Sequence, residues 1–466
     1  MTARLLLVAA GLLVAWGALA FGAVYPWAWQ PLVTGCALVG VLALTVSRHR
    51  GTDAGDRALL VSLALMMLGT VLQITPLPPA LVETLSPSTP RVLAEQNLAF
   101  AMAATREPYA LSLDPVASAR GLLLLFGFTL WMAGLTRLLH LTGARAFCTW
   151  LVGLGVLLAL IGIVQKAILG DHAFGGMKIY GFWSPINKLT TPFGPFVNRN
   201  HFAGWMLMGL PLALGLGLGW AERAGRHRRG GWRGLLGRVS SPEGGRAQLM
   251  GVAVVVMSLS LLMTRSRSGL AGMIVAMGLA AVVAGRRVAS TRARLSVLAA
   301  TTALLVGLVA WGGGDVASRL GGSGFTELRP RIWRDTAALI RDFPLTGTGL
   351  NTYGTAMLSY QSTKRDLHVR EAHNDYVQLI AEGGLLLAVP AAFALAALAL
   401  AIWRRFKDAR DDTMTHWVRV GATTGLVAIA LQSLVEFSLQ MPGVAAFAAV
   451  LMSVALHEPP PRHHRR

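Results

Sequence analysis

The chain is poor in charged residues, which make up 14% of its 466 residues, whereas 54% are hydrophobic. Soluble domains average about 25% charged residues, so this composition excludes an ordinary soluble protein. A membrane-spanning helix needs about 20 mostly apolar residues. About twelve runs of this kind predict an all-α polytopic membrane protein. They lie at 5–25, 31–47, 58–74, 120–139, 146–169, 202–220, 249–263, 268–285, 294–312, 384–403, 417–435 and 438–456.

Cysteine is also scarce, and several catalytic signatures are missing. Cys36 and Cys148 are the only two, and both fall in or at predicted spans, which supports neither a disulfide framework nor a cysteine metal site. The chain has no GxxxxGK[ST] phosphate loop, no HExxH and no CxxC. Ser–His–Asp catalysis stays open, without a GxSxG elbow to support it. With no internal repeat or separable soluble region, residues 1–466 are predicted to form one transmembrane domain.

Acidic residues are few: 22 oppose 42 basic residues, giving a net charge of +20. With twelve spans, the basic clusters all fall on the side of the N-terminus, which the positive-inside rule makes cytoplasmic. Both termini are therefore predicted to be cytoplasmic, and the first span is read as a retained helix rather than a signal peptide. No aromatic-interleaved basic platform is present, so the charge indicates topology near anionic lipid rather than nucleic-acid binding.

The predicted loops on the opposite side are unequal. Smaller ones cover 75–118 and 170–200, and the largest covers 313–383. Within the largest, 331–343 is predicted to be a short helix suited to the membrane surface, ended by Pro344. Its polar side chains are expected to stay available to water or anions: Arg331, Arg334, Asp335, Arg341 and Asp342.

The segment TPFGPFVNRNHFAGW places a polar group at the start of a span. Arg199 lies between Asn198 and Asn200, with His201 just inside the span. An arginine at a helix end commonly extends its charge to the interface, which is the structural interpretation. Binding of an anionic head group by the arginine and the asparagines is the functional one. The sequence alone leaves the two balanced.

The segment MTRSRSGLAG puts two arginines in a very short turn between spans. Arg265 and Arg267 lie on the side opposite the other basic clusters, against the positive-inside trend. Guanidinium groups bind phosphate oxygens through bidentate, charge-assisted hydrogen bonds. A phosphate-binding role is therefore favoured over a merely structural one.

The segment EAHNDYVQLIAEGG gathers polar residues directly before a long apolar run. Charged groups cost about 2.5–3.5 kcal/mol each at a helix centre, so this cluster must lie outside the hydrocarbon. His373 stands at the predicted helix start, with Asn374 or Asp375 as the N-cap and Glu371 nearby. A solvated interfacial histidine is the simplest interpretation of a lone residue. The density of polar neighbours favours a site.

Taken in this order, the motifs resemble the O-antigen ligase and O-antigen polymerase superfamily of bacterial envelope glycosyltransferases. The likeness rests on VNRNHFAG, TRSRSG at the start of a span, RIWRDTAALIRDFPLTGTGLNTYG and EAHNDYVQLIAEGGL, within about residues 190–400. It implies a fold of the second GT-C type in the bacterial inner membrane, with a large periplasmic loop and a periplasmic active site. It also implies transfer of a glycan from undecaprenyl diphosphate to an acceptor hydroxyl, with no cofactor and no required metal.

By position, the resemblance assigns catalytic roles to Arg199, Arg267 and His373. Glu371 stands where the family has a first motif histidine, so a mechanism with one histidine is expected here. The two arginines are expected to hold the diphosphate, and His373 to act on the acceptor hydroxyl. Further substrate-binding candidates are Arg265, Asn198, Asn200, His201, Arg331, Asn374, Asp375 and Glu371.

Several functions remain open on the sequence. A repeat-unit polymerase, a ligase to lipid A–core and a transferase to protein hydroxyls differ only in the acceptor. A polysaccharide or lipid transporter usually carries ionisable groups near the bilayer midplane, and the predicted spans have few there. A structural scaffold would leave the arginines and the histidine unexplained. The expected partners are therefore a lipid-linked glycan donor, a glycan or lipid A–core acceptor and membrane lipid, without nucleic acid.

Overall fold

The structure is a computed structural model of the whole chain. It describes residues 1–47, 54–103, 105, 107–169, 178–186, 190–225, 234, 237, 239–285, 328–362, 368–407 and 412–458. Within these residues the protein is almost entirely helical, and extended pairing is limited to isolated bridges such as Leu77 with Tyr109. The predicted all-α architecture is confirmed for this part of the chain.

Sixteen α-helices follow one another in the described part of the chain. They are α1 (Thr2–Leu19), α2 (Pro26–Val46), α3 (Ala54–Ile74), α4 (Pro79–Leu85), α5 (Thr89–Gln96), α6 (Leu98–Met102), α7 (Pro115–Thr142), α8 (Arg145–Leu169), α9 (Arg199–Gly225), α10 (Pro242–Met263), α11 (Arg267–Gly285), α12 (Leu328–Asp342), α13 (Tyr353–Tyr360), α14 (Asp375–Phe406), α15 (Thr413–Gln432) and α16 (Pro442–Leu456). Short 3₁₀ turns cover Phe21–Ala23 and Ser438–Gln440.

Eight of the described helices are long and apolar enough to cross a membrane: α1, α2, α3, α7, α8, α9, α10 and α14. This agrees with a polytopic membrane protein. Three further predicted spans correspond to α11, α15 and the 15-residue α16, and the predicted span 294–312 lies outside the described residues. The predicted span 384–403 lies within α14, which begins earlier, at Asp375, and is interrupted at Gly384.

Helix α9 lies at the centre of the bundle. Of the eight candidate spans it is the most enclosed, with 83% of its apolar window buried, and it packs against α8, α10 and α15. Trp205 on α9 is fully buried and stacks on Phe447 of α16 with ring centroids 4.3 Å apart. This contact holds the N-terminal part of α9 among the other helices. Its polar first turn lies near the ends of several of them.

Parts of two predicted loops pack together into one small subdomain, which we call the cap (the described residues of 75–114 and 328–374). Its core consists of Val92 and Leu113 from the first segment with residues from the second: Leu339, Phe343, Tyr353, Ala356, Met357 and Ala372. Polar contacts also join the segments, because Arg91 of α5 donates to Asp342 at 2.5 Å and to the Tyr360 hydroxyl at 2.9 Å.

The cap is anchored by a turn that docks against a break in α14. Gly384 has φ +53°, which interrupts the helix. Around it, the Thr348 and Gly349 amides donate to carbonyls of α14, and the Leu385 and Leu386 amides donate back to the turn at 2.9 Å. A Cβ at Gly384 would lie 2.5 Å from the Gly347 nitrogen. The glycines of LTGTG and EGG therefore serve a close backbone contact.

Helix α12 confirms the predicted short helix, but not its surface position. Ile332 and Leu339 are buried in the cap rather than turned to a membrane. Asp335, expected to face water, is also buried, and its carboxylate accepts hydrogen bonds from the Ser362 amide and hydroxyl at 3.0 and 2.7 Å. Burial of this acid is possible because both oxygens are bonded.

Candidate functional site

The three polar motifs come together at one end of the bundle, which we call the site end. Helices α9, α11 and α14 begin there, and α15 ends there. A Cβ placed at Gly269 of α11 would lie 2.8 Å from Ala203 of α9, so these first turns touch. Gln432 at the end of α15 donates to the Asn200 carbonyl at 3.1 Å, and the Asp375 amide donates to the Ser433 carbonyl at 2.9 Å.

Glu436 lies at the centre of this end, in the segment between α15 and α16. Its side chain is 2% exposed. One carboxylate oxygen, Oε1, accepts from Asn200 Nδ2 at 2.8 Å and from Arg329 Nη2 at 2.6 Å. The other oxygen, Oε2, lies 3.9 Å from His373 Nδ1. One buried acid thus connects the start of α9, the start of α12 and the motif histidine.

Phe437 separates two histidines of the cluster. Its ring makes edge contacts with the rings of His201 and His373, with centroid distances of 4.8 and 4.9 Å. Three buried polar atoms in this cluster have no hydrogen-bond partner in the structure: His201 Nε2, His373 Nδ1 and Glu436 Oε2. Two of these atoms, His373 Nδ1 and Glu436 Oε2, face each other at 3.9 Å. Since buried polar groups are normally paired, their concentration here makes this cluster a candidate site.

Electrostatics lower the pKa of the central acid. Burial opposes ionisation of Glu436, but His373, Arg329 and His201 together hold the pKa of its carboxyl below the ordinary value. The half-buried Glu371 behaves differently, because burial raises the pKa of its carboxyl and the nearby positive groups offset this only in part. The residue in place of the family's first histidine therefore has a weakened tendency to carry negative charge.

The backbone at His373 is in the left-handed region, with φ +52°. Asn374 is the N-cap of α14, with its side-chain oxygen accepting from the Tyr376 and Val377 amides at 3.0 Å. Asp375 is the first helical residue, and its carboxylate accepts from Gln440 Nε2 at 3.0 Å. The structure thus selects Asn374 between the two predicted caps, and a substrate-binding role for either residue stays a prediction.

The arginines predicted to hold phosphate occupy helix starts at the site end. Arg199 and Arg267 are the first residues of α9 and α11, and Arg265 lies in the turn between α10 and α11 with φ +52°. Arg265 and Arg267 are exposed, whereas Arg199 is half-buried. Asn198 caps α9 by accepting from the Asn200 amide at 2.8 Å. A helix N-terminus carries a partial positive charge that favours anions.

Arg331 is exposed, and it is Arg329, two residues earlier, that reaches Glu436. Successive helical residues are rotated by about 100°, so two residues apart point to nearly opposite sides. The sequence interpretation missed Arg329, Glu436 and Phe437. One signal was present: Glu436 is a single acid within the otherwise apolar run of SLVEFSLQMPG.

Among the described residues, no three His, Cys, Asp or Glu side chains converge as metal ligands do. The arrangement instead offers a histidine with a carboxylate partner and several guanidinium groups at one end of a helical bundle.

Apolar helices of spanning length with a polar site at their common end define the class: a polytopic membrane protein with a candidate active site at one end of the bundle. Residues 252–392 match the family model described as O-Antigen ligase, which confirms the resemblance to the O-antigen ligase superfamily. Members of that family are glycosyltransferase-like enzymes of the membrane. The matched region includes Arg267, Arg329 and His373 but neither Arg199 nor Glu436. No curated protein matches the chain.

Proposed function

We propose that this protein transfers a glycan from undecaprenyl diphosphate to an acceptor hydroxyl. The observation that carries the proposal is the pairing of His373 with the buried carboxylate of Glu436, at the end of the bundle where α9 and α11 present their arginines. A hydroxyl acceptor needs a base, and a diphosphate leaving group needs positive charge. Both requirements are met by side chains of this one end.

In the proposed reaction, His373 is the general base. Glu436 faces Nδ1 and orients the ring, so Nε2 takes the proton of the acceptor hydroxyl. The oxygen of that hydroxyl forms a bond to the anomeric carbon of the donor sugar. The bond from that carbon to the diphosphate oxygen breaks, and its electron pair leaves with the diphosphate. The 3.9 Å separation between His373 and Glu436 is expected to shorten when substrate binds.

Arg199 and Arg267 stabilise the departing diphosphate in this proposal, with Arg265 as an additional contact. Negative charge on the diphosphate grows as the glycosidic bond breaks, so the guanidinium groups bind the transition state more tightly than the ground state. The N-terminal ends of α9 and α11 add to the same field. No metal ion or nucleotide is required by this chemistry.

In this proposal, the remaining candidate residues support His373 and Glu436 or bind the acceptor. Asn200 holds the carboxylate of Glu436 at 2.8 Å, and His201 lies on the far side of the same phenylalanine contact as His373. Glu371, with its raised carboxyl pKa, is assigned to acceptor binding rather than to a second base. The proposed mechanism accordingly uses one histidine.

The proposed setting is the bacterial inner membrane, with twelve spans, a GT-C type fold and both termini in the cytoplasm. The cap and the site end then face the periplasm. The positive-inside distribution of the basic loops supports this orientation. Apolar surfaces of the spans hold the polyprenyl tail of the donor.

A transfer assay with the purified full chain tests the proposal. The chain in lipid nanodiscs receives an undecaprenyl-diphosphate oligosaccharide and a lipid A–core acceptor, and both the glycosylated acceptor and free undecaprenyl diphosphate are measured. His373→Ala should lower turnover about 10²- to 10⁴-fold, the range of a positioned general base. Wild-type turnover in this variant would remove the base role. Loss of activity in EDTA would overturn metal independence.

Polymerisation of repeat units is the second candidate, because the same base and diphosphate site would serve a sugar hydroxyl as acceptor. Deletion of the gene followed by glycan profiling separates the two. Capped single repeats indicate a polymerase, whereas unattached long chains indicate a ligase. Loss of surface glycan, with the lipid-linked glycan trapped on the cytoplasmic side, would indicate a transporter instead.

A further inference from the structure

Ala372, the residue before His373, is held by hydrogen bonds at both its backbone carbonyl and its backbone amide. The carbonyl oxygen of Ala372 accepts a hydrogen bond from the indole Nε1 of Trp333 at 2.9 Å. The amide of the same residue donates to Gln378 Oε1 at 2.8 Å. Ala372 is fully buried in the core of the cap. The amide, the carbonyl and the side chain of Ala372 are therefore all fixed by contacts.

Residues after His373 are equally constrained. Asn374 caps α14, and the Asp375 amide donates to the Ser433 carbonyl at 2.9 Å. Between these two anchored sides, His373 adopts φ +52°. Non-glycine residues enter this region at an energetic cost and stay there only when their surroundings hold them. The left-handed conformation of the histidine is thus imposed by its neighbours.

Gln378 has a fixed orientation because all three of its amide contacts agree. Its Nε2 donates to Glu382 Oε1 at 3.0 Å and to Gln440 Oε1 at 2.9 Å, which leaves Oε1 for the Ala372 amide. Glu382 in turn accepts from the Asn351 and Tyr353 amides of the cap. A flipped amide would lose these bonds, so the network defines which atom faces Ala372.

We propose that Trp333 and Gln378 are positioning residues for His373, acting through the Ala372 peptide. They set the backbone conformation that aims the imidazole at Glu436 on one side and at the acceptor on the other. The inference rests on the proposed base role of His373 and adds residues from the cap to the catalytic function. Small displacements of a base reduce catalysis strongly, since its hydrogen bond to the reacting hydroxyl must have the correct length and direction.

Trp333→Phe tests the inference with a conservative change, because it keeps an aromatic ring at the position and removes the indole N–H donor; the matched control loses the same atoms. In the nanodisc transfer assay, kcat should fall about 3- to 10-fold, the effect of one neutral hydrogen bond, with unchanged donor and acceptor KM. Trp16→Phe is the matched control: its indole, on α1, also donates to a backbone carbonyl, that of Ala28 in the first turn of α2, at 2.8 Å. It should leave kcat unchanged.

A double variant separates positioning from general stability. If Trp333 acts through the histidine, Trp333→Phe should cause no further loss of kcat in the His373→Ala background. An equal loss in both backgrounds would make the tryptophan merely structural and overturn the inference. Gln378→Met removes the Ala372 acceptor at similar side-chain volume and should show the same dependence on His373, which keeps the test decisive if Trp333→Phe folds poorly.

Different results would contradict the positioning role of Trp333 and Gln378 and the base role of His373. Full kcat in both Trp333→Phe and Gln378→Met, with strong loss in His373→Ala, would overturn the positioning role and leave the base role intact. Wild-type kcat in His373→Ala would instead overturn the proposed function itself.

Discussion

Two buried polar clusters lie at opposite ends of α14, α15 and α16, and they differ in how completely they are bonded. At the end away from the site, the Arg419 guanidinium is fully buried and donates to the carbonyls of Ala455, Arg405 and His457 at 2.9, 3.1 and 2.7 Å. At the site end, polar atoms of His201, His373 and Glu436 are buried without partners. The first cluster fastens helix ends, whereas the second is the candidate functional site.

The comparison shows that burial of charge does not by itself identify a functional site. Arg405 pairs with Asp56 at 3.1 Å and also with Glu458, so the far cluster satisfies its own charges. The Glu436 carboxylate has one oxygen with two donors and one oxygen with none within hydrogen-bond distance. The combination of a buried carboxylate, two histidines and incomplete bonding, rather than buried charge alone, is what marks the candidate site.

Among the variants that compare the two clusters, replacing Glu436 should lower turnover the most. Unchanged turnover would contradict the distinction between the clusters. Glu436→Gln keeps the side-chain volume but removes the charge that orients and stabilises His373, so transfer should fall about 10²-fold or more. Glu458→Gln is the matched control at the far end, where the carboxylate binds Arg405. It should reduce thermal stability while the folded protein keeps its turnover. Initial rates and melting temperatures of both variants check this.

In contrast to Glu436→Gln, Arg419→Met should lower stability and leave turnover unchanged. The variant loses three hydrogen bonds from a charged donor, each worth about 1.5–3 kcal/mol, and leaves carbonyl groups at two helix ends unpaired. A marked fall in melting temperature is expected, with normal turnover per folded molecule. Arg334→Met, at an exposed position on α12, should change stability by less than about 0.5 kcal/mol. A catalytic defect without a stability defect in Arg419→Met would contradict the structural role.

Gly384→Ala should moderately lower both turnover and the stability of the cap. The new Cβ would meet the Gly347 nitrogen at 2.5 Å, and alanine at φ +53° is strained by about 1–3 kcal/mol. Loosening of the cap should lower transfer and expose the segment 344–349 to limited proteolysis. Gly251→Ala, where a Cβ meets nothing within 4 Å, is the control and should leave both unchanged. Full activity together with protease resistance would show that the docked turn is dispensable.

The contact between Arg91 and Asp342 should give the smallest effect. It is largely exposed, so Arg91→Met should cost less than about 1 kcal/mol. Burial opposes ionisation of Asp342, but Tyr360 and Arg91 hold its carboxyl pKa below the ordinary value. Its contribution is therefore present above the ordinary pKa of about 3.9 and is lost as the pH falls through the lower folded value. Melting curves of wild type and variant should converge in acid; a constant difference would contradict the pairing.

Much of the fold was predictable because hydropathy runs report helices directly. The motifs predicted polar groups that the structure brings to one end of the bundle, and His373 with its cap at Asn374 lies as expected at a helix start. The functional roles of these residues stay a prediction. Glu436 was not predictable as the centre, since its partners Asn200 and Arg329 are 236 and 107 residues away in the chain. Contacts over such separations come from helix packing, which local patterns do not record.

The cap was missed for a related reason. Residues 75–118 and 313–383 were read as separate loops, but their apolar side chains form one core. The error at Asp335 has the same origin, because an acid on an amphipathic helix is normally exposed and only its contact with Ser362 permits burial.

The break at Gly384 divides α14 into a part that belongs with the cap and a part long enough to span the membrane. The 22 residues that follow, 385–406, extend about 33 Å as a helix, close to the thickness of about 30 Å of a bilayer interior. The part before the break belongs with the cap, which explains why hydropathy placed the span at 384. Because the break separates the two parts, we expect a change in the tilt of 385–406 in a thicker or thinner membrane to be taken up at Gly384. The backbone around His373, which lies on the cap side of the break, should then keep its conformation when the surrounding lipid changes.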